Sequence, residues 1–293
     1  MNLTNITSIK ALLSSHGLTL KKNLGQNFLI NEHILEKIVA TADIKPDDTI
    51  LEIGAGIGTL TCKLAEKTSN VIAVEKDFTL IPLLRETLKE KQLQERVIIL
   101  ENDALRIDPP NTSYKIVANI PYLITSPLIN HFLKDVTLRH SKGDIMPARP
   151  PLLMTLMVQK EVAEKITARE GKLNMLALNI QTFSDVKMLF HVKAGNFYPQ
   201  PKVDSAVIQI KPLALPRVTC DLLNYFKIIS AGFQSKRKNL ANALSHNLSI
   251  PKETTENWIR SCQINPGARA ETLTFQEWEK LTLYTSTRPA SKE

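Results

Sequence analysis

Three carboxylates, Glu52, Glu75 and Asp103, fall at or just past the ends of three successive short apolar runs, and an asparagine, Asn119, closes a fourth. All four side chains accept hydrogen bonds. The first run enters a glycine turn, Leu51-Glu52-Ile53-Gly54-Ala55-Gly56-Ile57-Gly58. Glycine permits a tight turn and lets a ligand approach the backbone closely. The dinucleotide fingerprint spaces its glycines G-x-G-x-x-G and seats a pyrophosphate on the following helix end. Here the spacing is G-x-G-x-G, and Glu52 stands two positions ahead of Gly54. A carboxylate there disfavours a phosphate and suits a cation, such as the aminoacyl end of S-adenosylmethionine, with Gly54 and Gly56 as the close-approach positions. Glu75, 21 residues after Gly54, ends the second run. It is placed to accept both ribose hydroxyl protons, as an acid does in the dinucleotide fold. Asp103 follows the third run and can accept from an adenine amino group.

Asn119-Ile120-Pro121-Tyr122 carries a different chemistry. The Asn119 side-chain oxygen and the Ile120 carbonyl can both accept from one exocyclic amine. An adenine amino group is a poor nucleophile because its lone pair is delocalised into the ring, and two acceptors hold the nitrogen toward an electrophile and favour pyramidal geometry. Pro121 stiffens the turn. Tyr122 offers a face on which a splayed-out base can stack.

The elements that must position these groups are legible in the hydropathy pattern. Short strands are expected at 49–53, 71–75, 97–100, 115–118 and 152–158, with helices beginning near Asn31, from Thr59 to Lys67 and from Asp77 to Lys91. Strands alternating with helices imply βαβ units and a parallel sheet, and near-continuous apolar strands imply a sheet buried on both faces. Strands at 186–192 and 203–210 follow, joined by a Pro-containing turn that allows antiparallel pairing. Past Ile210 the pattern turns helical, over 219–233, 236–248, 251–262 and 274–284. The first 20 residues read as a loose helix.

At 293 residues the chain forms one large domain or two smaller ones and needs no disulfide to hold a core. No apolar run approaches the ~18 residues of a membrane span, and the N-terminus lacks a secretory pattern. Cys62, Cys220 and Cys262 form no CxxC pair, so neither a zinc site nor a disulfide framework is expected, and a reducing, cytoplasmic setting fits. The net charge of +8 is uneven: −2 over residues 1–110, +5 over 111–210 and +5 over 211–293. That distribution suggests a polyanion partner for the later parts.

The chain resembles the ribosomal RNA adenine N6-dimethyltransferase family. The resemblance is carried by Lys22-Asn23-Leu24-Gly25-Gln26-Asn27-Phe28-Leu29, the glycine turn through Thr61, Asn102-Asp103-Ala104-Leu105, Asn119 to Tyr122, Gln159 to Ala163, Phe197 to Val207, Phe233 to Leu240 and Arg269 to Leu273, in the family's order. The Gly-Gln-Asn-Phe-Leu and Pro-x-Pro-Lys-Val-Asp-Ser-Ala-Val stretches are far more specific than the glycine motif. The resemblance implies an α/β fold: a class I, Rossmann-like S-adenosylmethionine-dependent methyltransferase domain with a small all-helical C-terminal domain. The expected division is a motif-bearing segment at 1–30, the catalytic domain at 31–212 and the helical domain at 213–293. The implied activity is dimethylation of two adjacent adenosines in the hairpin loop near the 3′ end of small-subunit (16S) ribosomal RNA, by a monomer that uses no metal. Two alternatives stay open: a large-subunit rRNA methylase of the antibiotic-resistance type, and an RNA-binding assembly factor whose methylation is secondary.

Carried over by position, Asn27 and Leu29 touch the methionine part of the cofactor, Gly54 and Gly56 its glycine loop, Glu75 the ribose, Asp103 the adenine, and Asn119 both cofactor and target amine. Phe197 closes on the target adenine. With Tyr122 it would form a clamp worth ~1–3 kcal/mol per stacked base. Lys22, Lys202, Lys236, Arg237 and Lys238 are the expected RNA contacts, the last three as a basic cluster at a helix start, where the dipole does not favour them. Ala55 replaces a proline common in the family. The 137–151 loop is longer than usual, and residues 169–176 lack the usual Gly-x-Leu-Ser-type pattern.

Overall fold

A computed structural model describes residues 2–20, 26–135, 149–235 and 238–287. Its contacts divide the chain into two compact units, one of residues 1–163 and 185–212 and the other of 164–184 and 213–293.

The first unit is built on a seven-stranded sheet in the order β4-β3-β2-β5-β6-β9-β7. Its strands are β2 (Thr49–Ile53), β3 (Asn70–Glu75), β4 (Val97–Glu101), β5 (Tyr114–Asn119), β6 (Leu153–Gln159), β7 (Ser184–Val192) and β9 (Ser205–Pro212). β2 to β6 pair in parallel, and β9 runs antiparallel to β6, with Met157 opposite Val207. β7 lies beyond β9. A separate two-stranded ribbon joins β1 (Phe28–Leu29) to β8 (Phe197–Tyr198), with Leu29 opposite Phe197.

Helices α1 (Ile6–Ser15), α2 (Glu32–Thr41), α3 (Thr59–Ala65), α4 (Ile81–Glu90) and α5 (Thr125–Ile129) belong to this unit. α2 starts where its cap predicts, since Asn31 Oδ1 accepts from Ile34 N at 3.1 Å. Leu35 and Ile38 of α2, Leu64 of α3 and Leu84 and Leu88 of α4 pack with Ile50, Val71 and Ala73 of the sheet. Each of these buried leucine, isoleucine and valine side chains contributes about 1.5–3 kcal/mol.

α3 requires Gly58 at its start. Gly58 has φ +92°, and a Cβ there would lie 2.9 Å from Leu84 Cδ1.

β2 has β3 on one side and β5 on the other, so connections leave it in opposite directions. Ligands bind outside the carboxyl ends of strands at such a switch point. The expectation of a sheet buried on both faces fails at β4. It is the outer strand, and Ile98 is 64% exposed there. An edge strand has one flank and part of a face uncovered, so an apolar run does not guarantee burial.

The second unit is helical: α7 (Met175–Gln181), α8 (Leu222–Phe233), α9 (Leu240–Leu248), α10 (Lys252–Ser261) and α11 (Phe275–Thr287), with α6 (Lys160–Ile166) crossing the boundary. Its core gathers Leu178, Tyr225, Leu240, Leu244, Ile259 and Trp278. Gly232 is needed because a Cβ there would meet Trp278 Cη2 at 2.5 Å.

Residues 164–184 belong here rather than to 31–212. Leu173 N donates to Glu271 O at 2.9 Å, Arg217 Nε donates to Gln181 O at 2.7 Å, and Leu178 enters the helical core. In the departing 169–176 stretch, Asn174 caps α7 by accepting from Ala177 N at 3.0 Å. Asn174 is a competent cap residue. The three cysteines are buried free thiols.

Candidate active site

At the carboxyl ends of β2, β3 and β5 the first unit encloses a cavity of about 260 Å³. Its wall includes Asn27, Leu29, Glu52, Gly54, Gly56, Glu75, Asp103, Asn119, Ile120 and Tyr122. Every cofactor-directed residue expected from the sequence therefore reaches one cavity.

The glycine turn is locked to β3. Gly54 N and Ala55 N both donate to Val74 O, at 2.8 and 3.2 Å. Gly54 has φ +76°, and a Cβ there would sit 3.3 Å from Pro121 Cδ, so the glycine turn and the Asn-Ile-Pro-Tyr turn lie against one another. Gly56 has φ +60°, and a Cβ there would meet Phe28 Cε1 at 3.0 Å.

Glu75 organises this end. Its Oε2 accepts from Gly56 N at 2.7 Å and its Oε1 from Asp77 N at 2.7 Å. The spacing places Glu75 to accept both ribose hydroxyl protons. Each oxygen already holds a backbone N–H, so the carboxylate fixes the glycine turn and the loop after β3 as well as lining the cavity. Burial raises the Glu75 pKa, and backbone hydrogen bonds from Asp77, Gly56 and Lys76 oppose that rise.

Asp103 is held by Lys76 Nζ at 2.8 Å and by Leu105 N at 3.0 Å. The Lys76 contact, ahead of the Leu105 bond, keeps its pKa below the ordinary value, so Asp103 is a charged acceptor at the cavity rim.

Glu52 is the opposite case. It is 1% exposed, and its Oε2 has no hydrogen-bond partner among the described residues. Burial, with the nearby Glu75 charge adding to it, pushes its pKa up to about 8.

At the chemical end, β5 runs straight into Asn119, and Ile120 N donates to Met157 O on β6 at 3.2 Å. Asn119 Nδ2 donates to Asn27 O at 3.1 Å, which fixes the amide and leaves Oδ1 as its acceptor. Tyr122 OH shares a 2.7 Å hydrogen bond with Ser205 Oγ, and burial raises its pKa.

Phe197 does not join this wall. It is 2% exposed and packs in the core cluster with Leu29, Met157 and Val207. The Tyr122–Phe197 clamp is therefore not formed here, because pairing with Leu29 in the β1–β8 ribbon turns Phe197 into a core residue.

Of the expected basic RNA contacts, the two described ones, Lys202 and Lys238, do not line the cavity. Lys202 is exposed in the first unit. Lys238 is exposed in the second, ahead of the Asn239 cap, so it precedes α9 rather than occupying its first turn. Lys22, Lys236 and Arg237 lie outside the described residues, as does most of the 137–151 loop.

Other wall residues carried no role in the sequence reading. Gln26 Nε2 donates to Asp77 Oδ2 at 2.7 Å, tying the segment before β1 to the loop after β3. Gln26 and Phe28 lie inside a quoted motif, which was the available signal. Asp77 had none beyond following Glu75.

The donor set fits S-adenosylmethionine. The wall offers a buried carboxyl with an unpartnered oxygen, three further acids (Glu75, Asp77 and Asp103) and a glycine turn, and among the described residues its one basic side chain, Lys76, is already paired with Asp103. Such a lining repels phosphate and receives a cationic nucleoside. Among the described residues no group of three or more His, Cys, Asp or Glu is placed to hold a metal ion, and no helix is long and apolar enough to cross a membrane.

Comparison with known proteins gives a consistent result. The family model for ribosomal RNA adenine dimethylase matches residues 17–286. A ribosomal RNA small subunit methyltransferase A of Dehalococcoides mccartyi is 38% identical over 283 residues, covering 94% of this chain and 91% of that protein. One of Clostridium botulinum is 38% identical over 281 residues, covering 93% and 96%. Among solved structures, a dimethyladenosine transferase from Plasmodium falciparum superposes with TM-score 0.68 at 26% identity, over 88% of this chain and 96% of that one. The 23S rRNA methyltransferase ErmE gives 0.67 at 26% identity, over 88% and 99%.

Proposed function

The chain belongs to the ribosomal RNA adenine dimethylase family, whose members use S-adenosylmethionine to methylate ribosomal RNA, and from that premise we propose that it dimethylates two adjacent adenosines in the hairpin loop near the 3′ end of small-subunit (16S) rRNA. The small-subunit assignment is supported by the names of the relatives at 38% identity, against 26% for ErmE. A role in building the small subunit, in the cytoplasm, goes with that substrate.

The observation that carries the chemistry is the Asn119 amide, fixed by Asn27 O beside the glycine turn. When bound, S-adenosylmethionine supplies an electrophilic sulfonium methyl group. The protein orients the acceptor. Asn119 Oδ1 and the Ile120 carbonyl accept from the adenine amino group and aim its lone pair, while Tyr122 presents a stacking face. Orientation of this kind is worth up to ~7–11 kcal/mol in favourable cases. The Tyr122 hydroxyl is tied to Ser205 and its pKa is raised by burial, so it is a poor base. The proton of the methylated amine is acidic enough to leave to water.

The test is to map N6,N6-dimethyladenosine in rRNA from cells lacking the gene and in rRNA methylated by the purified protein. Loss and restoration at the 3′ hairpin of the small subunit is the expected result. Modification of large-subunit RNA instead would overturn the substrate assignment.

A further inference from the structure

Glu52 is an acid the methyl-transfer chemistry does not use, set where a carboxylate cannot remain charged alone. It is 1% exposed on β2, and its Oε2 lacks a partner among the described residues. The one group beside it that opposes burial is the neutral Thr61 hydroxyl, and no cation does so. From β3 comes Glu75, another acid, and from α3 comes the Cys62 thiol. The lysines of neighbouring elements are committed elsewhere. Lys63 of α3 pairs with Glu32, Lys76 after β3 with Asp103, and Lys115 of β5 with Asp48. Lys91, at the end of α4, lies near Cys62. A buried carboxylate without a cation is so costly that the group takes a proton instead.

We propose that Glu52 is a neutral acid in the free protein and that docking of the cationic amino acid end of the cofactor drives off its proton, so that cofactor capture releases about one proton per site near pH 7. The inference rests on the cofactor assignment and goes beyond it. The balance is simple. Free ligand carries an α-ammonium group, free protein carries the carboxylic acid, and the bound pair is ammonium against carboxylate with one proton passed to buffer. Methyl donor and demethylated product share that ammonium group, so both release the proton. The raised pKa of Glu52, about 8, agrees with the geometry. Below that pH, affinity should rise about tenfold per pH unit, because each unit removes that much of the proton's competition.

Isothermal titration calorimetry of the full chain with S-adenosylhomocysteine, repeated at pH 7 in phosphate and in Tris, counts the protons. Wild type is expected to release about one, and Glu52→Gln none, with an affinity that no longer climbs from pH 6 to 7.5. 5′-Methylthioadenosine, which lacks the amino acid end, should bind wild type without releasing a proton, and this arm stands even if the variant fails to fold. Binding of S-adenosylhomocysteine with no proton release, or equal release with methylthioadenosine, overturns the proposal and leaves the cofactor assignment intact. Absence of any binding overturns both.

Discussion

Asn119 Nδ2 donates to the backbone carbonyl of Asn27 at 3.1 Å, a bond that spans 92 residues of sequence and joins the end of β5 to the segment entering β1. One polar side chain therefore belongs to two motifs at once. The bond consumes the donor end of the amide and orients its acceptor end. Asn119→Ala removes the acceptor and is expected to abolish methylation, by at least ~100-fold, the loss that misplacing a reacting group by about 1 Å can cause. The folded protein should still bind cofactor. Mass spectrometry of rRNA treated with the variant, beside calorimetric binding of S-adenosylhomocysteine, checks both halves; near-normal dimethylation would remove Asn119 from the chemistry.

Glu75 is as much a structural acceptor as a cofactor contact. It satisfies Gly56 N and Asp77 N with separate oxygens. Glu75→Gln keeps one acceptor oxygen and presents an amide donor to the other N–H, which should cost about 1–3 kcal/mol for the orphaned group. Glu75→Ala leaves both without a partner and should cost more. Urea unfolding measures the order wild type, Gln, Ala, and cofactor affinity should fall in the same order. Unchanged stability in both variants would mean that the two backbone bonds contribute nothing net.

Phe197 separates a core role from a stacking role. Its burial with Leu29, Met157 and Val207 predicts that Phe197→Ala destabilises the protein by about 3–5 kcal/mol. Phe197→Leu, an apolar replacement of smaller volume, should cost much less. If the ring also leaves the core to meet the target base, the leucine variant will be nearly as stable as wild type yet slow in methylation. If it does not, methylation will follow stability across both variants. Thermal unfolding paired with initial rates on small-subunit RNA distinguishes the two.

The sequence exposed the cofactor half of the site more completely than the base-binding half, for a physical reason. Glu52, Glu75, Asp103 and Asn119 sit at strand ends, and in a parallel sheet strand ends converge on one edge, so linear spacing becomes spatial proximity. Phe197 has no such rule. Whether its ring faces the cavity or the core depends on pairing with Leu29 across nearly the whole first unit, which periodicity does not encode. The 164–184 segment is a similar case. It looks like a continuation of the catalytic domain, and only contacts such as Leu173 N to Glu271 O reveal its allegiance. The exposed face of β4 was illegible because an apolar strand reads alike at the centre and at the edge.

Glu52 also makes the stability of the cofactor-free protein depend on pH. Its pKa rises from an ordinary 4.5 unfolded to about 8 folded, chiefly through burial. The folded state then binds the proton more tightly than the unfolded chain. The contribution is complete below the unfolded value and is lost progressively as pH rises from about 5 to about 8. Glu75, raised in the same direction, adds to the loss. Asp103, lowered by Lys76, acts the other way but only at acidic pH, where its carboxyl takes up a proton. Glu52→Gln removes the buried ionisation while keeping the side chain's shape. The difference in thermal midpoint between variant and wild type, measured without cofactor at intervals from pH 5 to 8.5, should therefore grow with pH in favour of the variant. A difference that stays constant across that range would show that Glu52 ionises in the folded protein as it does in the unfolded chain.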